Sequence, residues 1–217
     1  MSKRIAIILI CLFLNHYFSV AQQQKKQETL IAEIKTILQS QVAQSNIPGA
    51  VILIKQGDKE IYKNAFGYAR LKDYNLQTIA HPEKTTVNHL YDIASLTKVI
   101  GTTTSIMLLV DAGLIKTDDP VAKYIRAFNT ADKKEITIRH LLTHTAGLYE
   151  WYPLYYFCKN KQESYQFIET LPLKFAVGSE RHYSDLGFVV LGEIIETISG
   201  LSLEQFMQQN IFDPLKM

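Results

Sequence analysis

Apolar residues recur at helical spacing over several stretches of the chain and at strand spacing around a single turn. From Glu28 to Gln44, residues Leu30, Ile31, Ile34, Ile37, Leu38 and Val42 predict an amphipathic helix, stopped by Asn46-Ile47-Pro48-Gly49. Ala50–Lys55 and Glu60–Phe66 are β-rich runs flanking Gln56-Gly57-Asp58-Lys59 and read as a hairpin. Residues 70–90 carry Pro82 and mixed polar positions and read as a long loop. The stretch from Ser95 to Val110 holds no charge except Lys98 and is apolar or small on every side, the pattern of a helix in the middle of a core. Gly113 sits where a left-handed cap would end it, and Asp118-Asp119-Pro120 opens a short helical segment at Val121–Ile125. Thr137 is placed to cap Ile138–His144, and Gln162–Leu171 forms a further helix ended by Pro172. Ser184–Ser199 is apolar at Leu186, Val189, Val190, Ile194 and Ile198 and closes at Gly200. Ser202 with Gln205 makes a capping-box pattern for a last helix to Asn210.

This inventory predicts an α/β (α+β) chain in which helices outnumber strands. A two-stranded hairpin is marginal alone and needs further strands or helix cover. The sequence stops at Phe212-Asp213-Pro214-Leu215-Lys216-Met217 without a closing element, so an incomplete domain is expected.

The N-terminus changes the picture of where the protein works. Lys3 and Arg4 precede an unbroken apolar run from Ile5 to Leu14, and the segment ends Ser19-Val20-Ala21 before Gln22-Gln23-Gln24. That order of charge, apolar run and small residues is the order of a secretory signal. The apolar run is about half of the ~20 residues that a membrane-spanning helix needs, so no integral span is expected in the mature chain. Residues 1–21 are read as a signal peptide and residues 22–217 as one exported domain, periplasmic or secreted.

The whole chain has 23 Lys plus Arg and 21 Asp plus Glu, and loss of Lys3 and Arg4 with the leader makes the mature chain formally neutral. A basic field for nucleic acid or anionic lipid is therefore not expected. Cys11 lies in the leader, which leaves Cys158 alone and no internal disulfide.

Ser95 and Lys98 stand at i and i+3, on one helix face if Ser95 opens the helix. A hydroxyl is a weak nucleophile without a neighbouring base, and an ammonium beside that base helps it. With 11 Ser and 18 Lys in the chain, Ser-x-x-Lys is expected about once by chance, so its weight comes from its place at the N-terminus of an apolar helix. Tyr183-Ser184-Asp185 precedes a second apolar helix. A phenol held beside an ammonium can act as a general base, but taken alone the segment reads first as a helix cap at Ser184 or Asp185 with the Tyr183 ring packed beside it.

Taken in order, Ser95-Leu96-Thr97-Lys98, Leu141-Leu142-Thr143-His144-Thr145-Ala146-Gly147-Leu148 and Tyr183-Ser184-Asp185-Leu186-Gly187 resemble the serine β-lactamase and penicillin-binding-protein superfamily. The likeness is to its class C-like branch, with esterases and D-amino-acid peptidases. It extends over residues 30–217 and includes Leu114-Ile115-Lys116-Thr117-Asp118-Asp119-Pro120.

The resemblance implies a β-lactamase/transpeptidase-like fold, a helical region with an antiparallel sheet. It also implies an acyl-enzyme at Ser95, Lys98 as activating partner and Tyr183 as the base. No cofactor and no metal are implied, and the substrate is a small molecule or a peptide of cell-wall-like chemistry.

Asp185 departs from the pattern, which more often has Asn there. An ionised Asp only accepts hydrogen bonds, so it pairs with Lys98 and offers nothing to an acylamide carbonyl. The family's third motif, a Lys or His followed by a small residue and Gly on a strand, does not occur in residues 1–217, and the isolated chain is expected to be inactive. A non-catalytic binding or sensing protein that keeps the fold is the alternative.

His144 and His140 form a same-face pair without a third ligand at recognisable spacing, and the resemblance makes His144 a structural turn residue. Trp151, Tyr152, Tyr155, Tyr156 and Phe157 either line a cleft or pack a loop. Cys158 reads as a buried small residue.

Overall fold

Gly57 takes φ +60° with nothing within 4 Å of where a side chain would sit, and this left-handed residue turns the chain between β1 (Gly49–Gln56) and β2 (Lys59–Gly67). The computed structural model describes residues 3–217, with side chains from residue 21 onward. Side chains of the expected leader up to Val20 therefore lie outside the described residues. The chain divides into two compact units, Met1–Tyr91 and Asp92–Met217.

In the first unit the strands pair antiparallel from Gly49↔Gly67 to Gln56↔Lys59, with a bulge between Ile54 and Lys55. They are the two strands of one sheet among the described residues. Helix α1 (Lys3–Ala43) includes the helix expected from Glu28 but begins well before it. The Gln-rich stretch from Gln22 to Gln27 contains neither Gly nor Pro and is made of straight-chain residues that lose little freedom in a helix. Ile31, Ile34, Leu38 and Val42 are half-buried, whereas Leu30 and Ile37 face solvent.

The second unit is helical. Its first helix starts with a π-wound stretch, Lys98–Thr103, and continues as α2 (Thr104–Asp111). The hydroxyl-bearing run accounts for the wider winding. Thr104 Oγ1 donates to the Val99 carbonyl five residues back, at 3.1 Å, and Ser105 Oγ donates to Gly101 O at 2.9 Å. Nor is this helix buried on every side. Ile106 and Leu109 are in the core, while Val99 and Met107 are each 63% exposed, because α5 and the C-terminal turns pack on one flank only.

Short turns at Val121–Lys123 and Arg126–Phe128 follow, then α3 (Ile138–Leu142), α4 (Lys161–Thr170), α5 (Asp185–Ser199) and α6 (Leu203–Met207). A second π-wound turn, Gln208–Phe212, leads into α7 (Asp213–Leu215). The caps read from the sequence are present. Thr137 accepts from the His140 N–H, Ser184 from Gly187 and Ser202 from Gln205, and Gly200 closes α5 at φ +70°. The centre of the unit is α5, whose Leu186, Val190, Leu191, Ile194 and Ile195 are almost fully buried with Phe128, Ile138, Leu141 and Ile168. Among the described residues no single helix is long and apolar enough to cross a membrane.

Asp119 pins the turns that precede α3. Its Oδ2 accepts from the Tyr124 hydroxyl at 2.6 Å, the Lys123 ammonium at 2.9 Å and the Lys116 N–H at 2.9 Å. The Tyr124 and Lys123 bonds, then the backbone bond, hold its carboxyl down at about 2. A carboxyl depressed in the folded state adds stability that is full above its ordinary value and is lost as pH falls through the depressed one. Asp119→Ala is therefore expected to lower Tm at pH 7, with the gap to wild type narrowing between about pH 4 and pH 2. Thermal melts across that range check it, and a gap that did not narrow would show that the carboxylate's charge contributes nothing.

Candidate active site

Ser95 lies at the mouth of the first helix of the second unit, directly after Ala94, which takes φ +44°. A non-glycine residue in the left-handed region is strained. Here the turn is held by Asp92, whose Oδ1 accepts the Ala94 N–H at 2.7 Å. The strained turn leaves Ser95 exposed one turn before Lys98. The Lys98 ammonium is 3.3 Å from Ser95 Oγ and 2.7 Å from Asp185 Oδ1. It also stands 5.2 Å from the Tyr183 ring centre and 5.8 Å from that of Phe188. Ser95, Lys98, Tyr183 and Asp185 are thus brought into one cluster, although Tyr183 follows Ser95 by 88 positions and the two segments meet only through the fold.

Burial acts to lower Lys98, but its hydrogen bonds to Asp185 and to the Tyr183 hydroxyl, with the charge of Asp185, outweigh this and hold it above its ordinary value. Lys98 is accordingly an ammonium at neutral pH. It can donate to Ser95 and Tyr183 but cannot take a proton from either.

The Tyr183-Ser184-Asp185 segment is fixed by chain that returns from residues 144–150. Ser184 Oγ donates to Tyr149 O at 2.6 Å, the Asp185 N–H donates to Glu150 O at 2.7 Å, and the Ser184 N–H donates to His144 Nδ1 at 3.0 Å. Further along, Gly178 N–H donates to Thr145 O and Lys174 N–H to Gly147 O, both at 2.8 Å. Gly147 has φ +80°, and a Cβ there would lie 2.4 Å from the Phe175 carbonyl, so the Thr-His-Thr-Ala-Gly turn requires glycine at this position. Ser184 is the helix cap, which leaves Asp185 free to face Lys98.

The cluster opens into a cavity of about 460 Å³ that runs from Lys98 and Asp185 past Ala94, Leu154, Phe188 and Val189 to Lys161 on α4. The nearby aromatic residues divide into two groups. Tyr152 packs on Phe157 and Phe167, while Trp151, Tyr155 and Tyr156 are exposed. Cys158, expected to be buried, is half-buried. His140 spends its Nδ1 on the Thr137 cap rather than facing His144, and no group of three metal-ligating side chains occurs among the described residues.

The beta-lactamase family model matches residues 34–217. The chain belongs to the beta-lactamase family. It is 30% identical over 190 residues to an Escherichia coli O157:H7 protein named "Putative D-alanyl-D-alanine carboxypeptidase", covering 81% of this chain and 43% of that one. Among solved structures, EstCE1, described as a hydrolase with promiscuous acyltransferase activity, superimposes with a TM-score of 0.73 at 25% identity, over 88% of this chain and 52% of that one. A class C beta-lactamase superimposes at 0.71 and 21% identity, over 88% and 50% of the two chains, which shows the shared fold. The chain spans less than half the length of the curated relative it matches. The β-lactamase/transpeptidase-like fold and the serine hydrolase family expected from the motifs are those of the protein.

Proposed function

We propose that the protein of the whole reading frame is an exported hydrolase that forms an acyl-enzyme at Ser95. The observation that carries this reading is the Lys98 ammonium within hydrogen-bonding reach of both Ser95 Oγ and Asp185, with Tyr183 beside it. Because Lys98 is held charged and cannot take the proton of Ser95, Tyr183, whose ring lies 5.2 Å from the ammonium, is the base that accepts it. Ser95 Oγ forms a bond to the substrate carbonyl carbon, the bond to the leaving group breaks, and Tyr183 returns the proton to that group. Water then attacks the acyl carbonyl with Tyr183 again as base, releasing the acid and Ser95. The bond cleaved is an ester, a D-amino-acid peptide or a β-lactam. Export rests on the order of residues 1–21, and residues 1–217 assayed alone are expected to show no turnover.

A second reading, a protein that keeps the fold and binds without turnover, is favoured by one observation: Asp185 is an acceptor where the family more often has a donor amide. A fluorescent acylating probe separates the two. Labelling of the folded protein that disappears in Ser95→Ala supports the hydrolase. Absence of labelling on the folded protein supports the binder.

A further inference from the structure

His144 is 9% exposed and takes φ +61°, a left-handed conformation that is uncommon for residues other than Gly. The turn it belongs to is closed by backbone bonds of Thr145 and Gly147 that do not involve its ring. The contacts of the ring go elsewhere. Nδ1 accepts the Ser184 N–H at 3.0 Å, the Tyr183 ring centre is 4.6 Å away, and the Phe188 ring centre is 5.2 Å away. Phe188 in turn faces the Lys98 ammonium. Every one of these partners belongs to the Tyr183 segment or to the first turn of α5.

We propose that His144 is the positioning residue for Tyr183, holding the phenol in register with Lys98 and Ser95 through the Ser184 N–H and the packed ring. The inference rests on the reading of Tyr183 as the base. A protonated imidazole donates at both nitrogens and could not accept from Ser184, so the arrangement requires the neutral ring. Charged and titratable groups face it from each neighbouring element: Lys98 from the first helix, Arg181 and Tyr183 from the preceding segment, and Asp185 from α5. Burial first, then Arg181 and Lys98, lower its pKa and outweigh Asp185. The neutral ring is therefore retained to below the ordinary histidine value, and the bond to Ser184 is lost only as pH falls through the lowered one.

The test uses the full-length protein and a nitrophenyl ester. His144→Asn keeps an acceptor and suits the backbone but lacks the ring; His144→Phe keeps a ring and lacks the acceptor. Each is expected to lower kcat about 10-fold with KM within about 3-fold of wild type, and to remove the acid limb that belongs to the imidazole. In a Tyr183→Phe background the same substitutions are expected to add no further loss of kcat. If His144→Phe does not melt cooperatively, His144→Asn and its pH profile decide the matter. Unchanged kcat and an unchanged acid limb in a folded variant would overturn the proposal, as would an equal kcat loss in the Tyr183→Phe background. Tyr183→Phe with near wild-type turnover would instead overturn the assignment of the base itself, a separate result.

Discussion

Ser95→Ala, Lys98→Ala and Tyr183→Phe are each expected to lower ester kcat by about 10³-fold in the full-length protein while leaving it folded. Ser95 is exposed, so removing its hydroxyl leaves no cavity. Lys98→Ala takes away the group that touches both Ser95 and Asp185, and Asp185 stays partly solvated, so the carboxylate left behind is not stranded in the core. Tyr183 is 50% exposed, and loss of its hydroxyl preserves the ring that packs on His144. Groups that act as one unit give non-additive losses, so the double variant of Ser95 and Tyr183 should be little worse than Ser95→Ala alone. Paired kcat/KM values and thermal melts check this. Near wild-type turnover in Lys98→Ala would remove Lys98 from the mechanism.

The parts of this arrangement that were legible in the sequence are those written locally. Ser184, Ser202 and Thr137 are caps because a short hydroxyl precedes an apolar run, and Gly57 and Gly200 mark turns because no other residue enters a left-handed conformation so easily. Ser95 and Lys98 sit one turn apart for the same local reason.

What could not be read is what the chain makes by returning on itself. The carbonyls of Tyr149 and Glu150 hold Ser184 and Asp185 from about 35 residues away, and a carbonyl leaves no mark in a sequence. His144 was visible as part of the Thr-His-Thr-Ala-Gly turn, but its ring contacts depend on where α5 begins in space. The π winding at Lys98–Thr103 was hidden because hydrophobic periodicity over one turn does not distinguish it from an α-helix. The exposed flank of α2 was misread because apolar composition reports what a helix could bury, not which neighbours pack on it.

Asp185→Asn is expected to raise the ratio of β-lactam to ester kcat/KM by about 10-fold, the size of one modest hydrogen-bond contribution. The carboxylate lies 2.7 Å from Lys98 and can only accept, so it repels an acylamide carbonyl brought to the same site. An Asn amide would donate to that carbonyl while its oxygen still accepted from Lys98. A simple ester has no acylamide group and neither gains nor loses this contact, so the ratio isolates the effect from changes in the nucleophile. Asp185 is also the first residue of α5, where a negative charge complements the helix dipole by about 0.3–1 kcal/mol. A small fall in Tm is therefore expected in Asp185→Asn whatever its role in selectivity. Paired measurements on a chromogenic cephalosporin and a nitrophenyl ester, with melts of both proteins, separate the two contributions. A lower Tm with an unchanged ratio would leave Asp185 as a helix-dipole residue and a partner of Lys98, with the choice of substrate set elsewhere along the cavity.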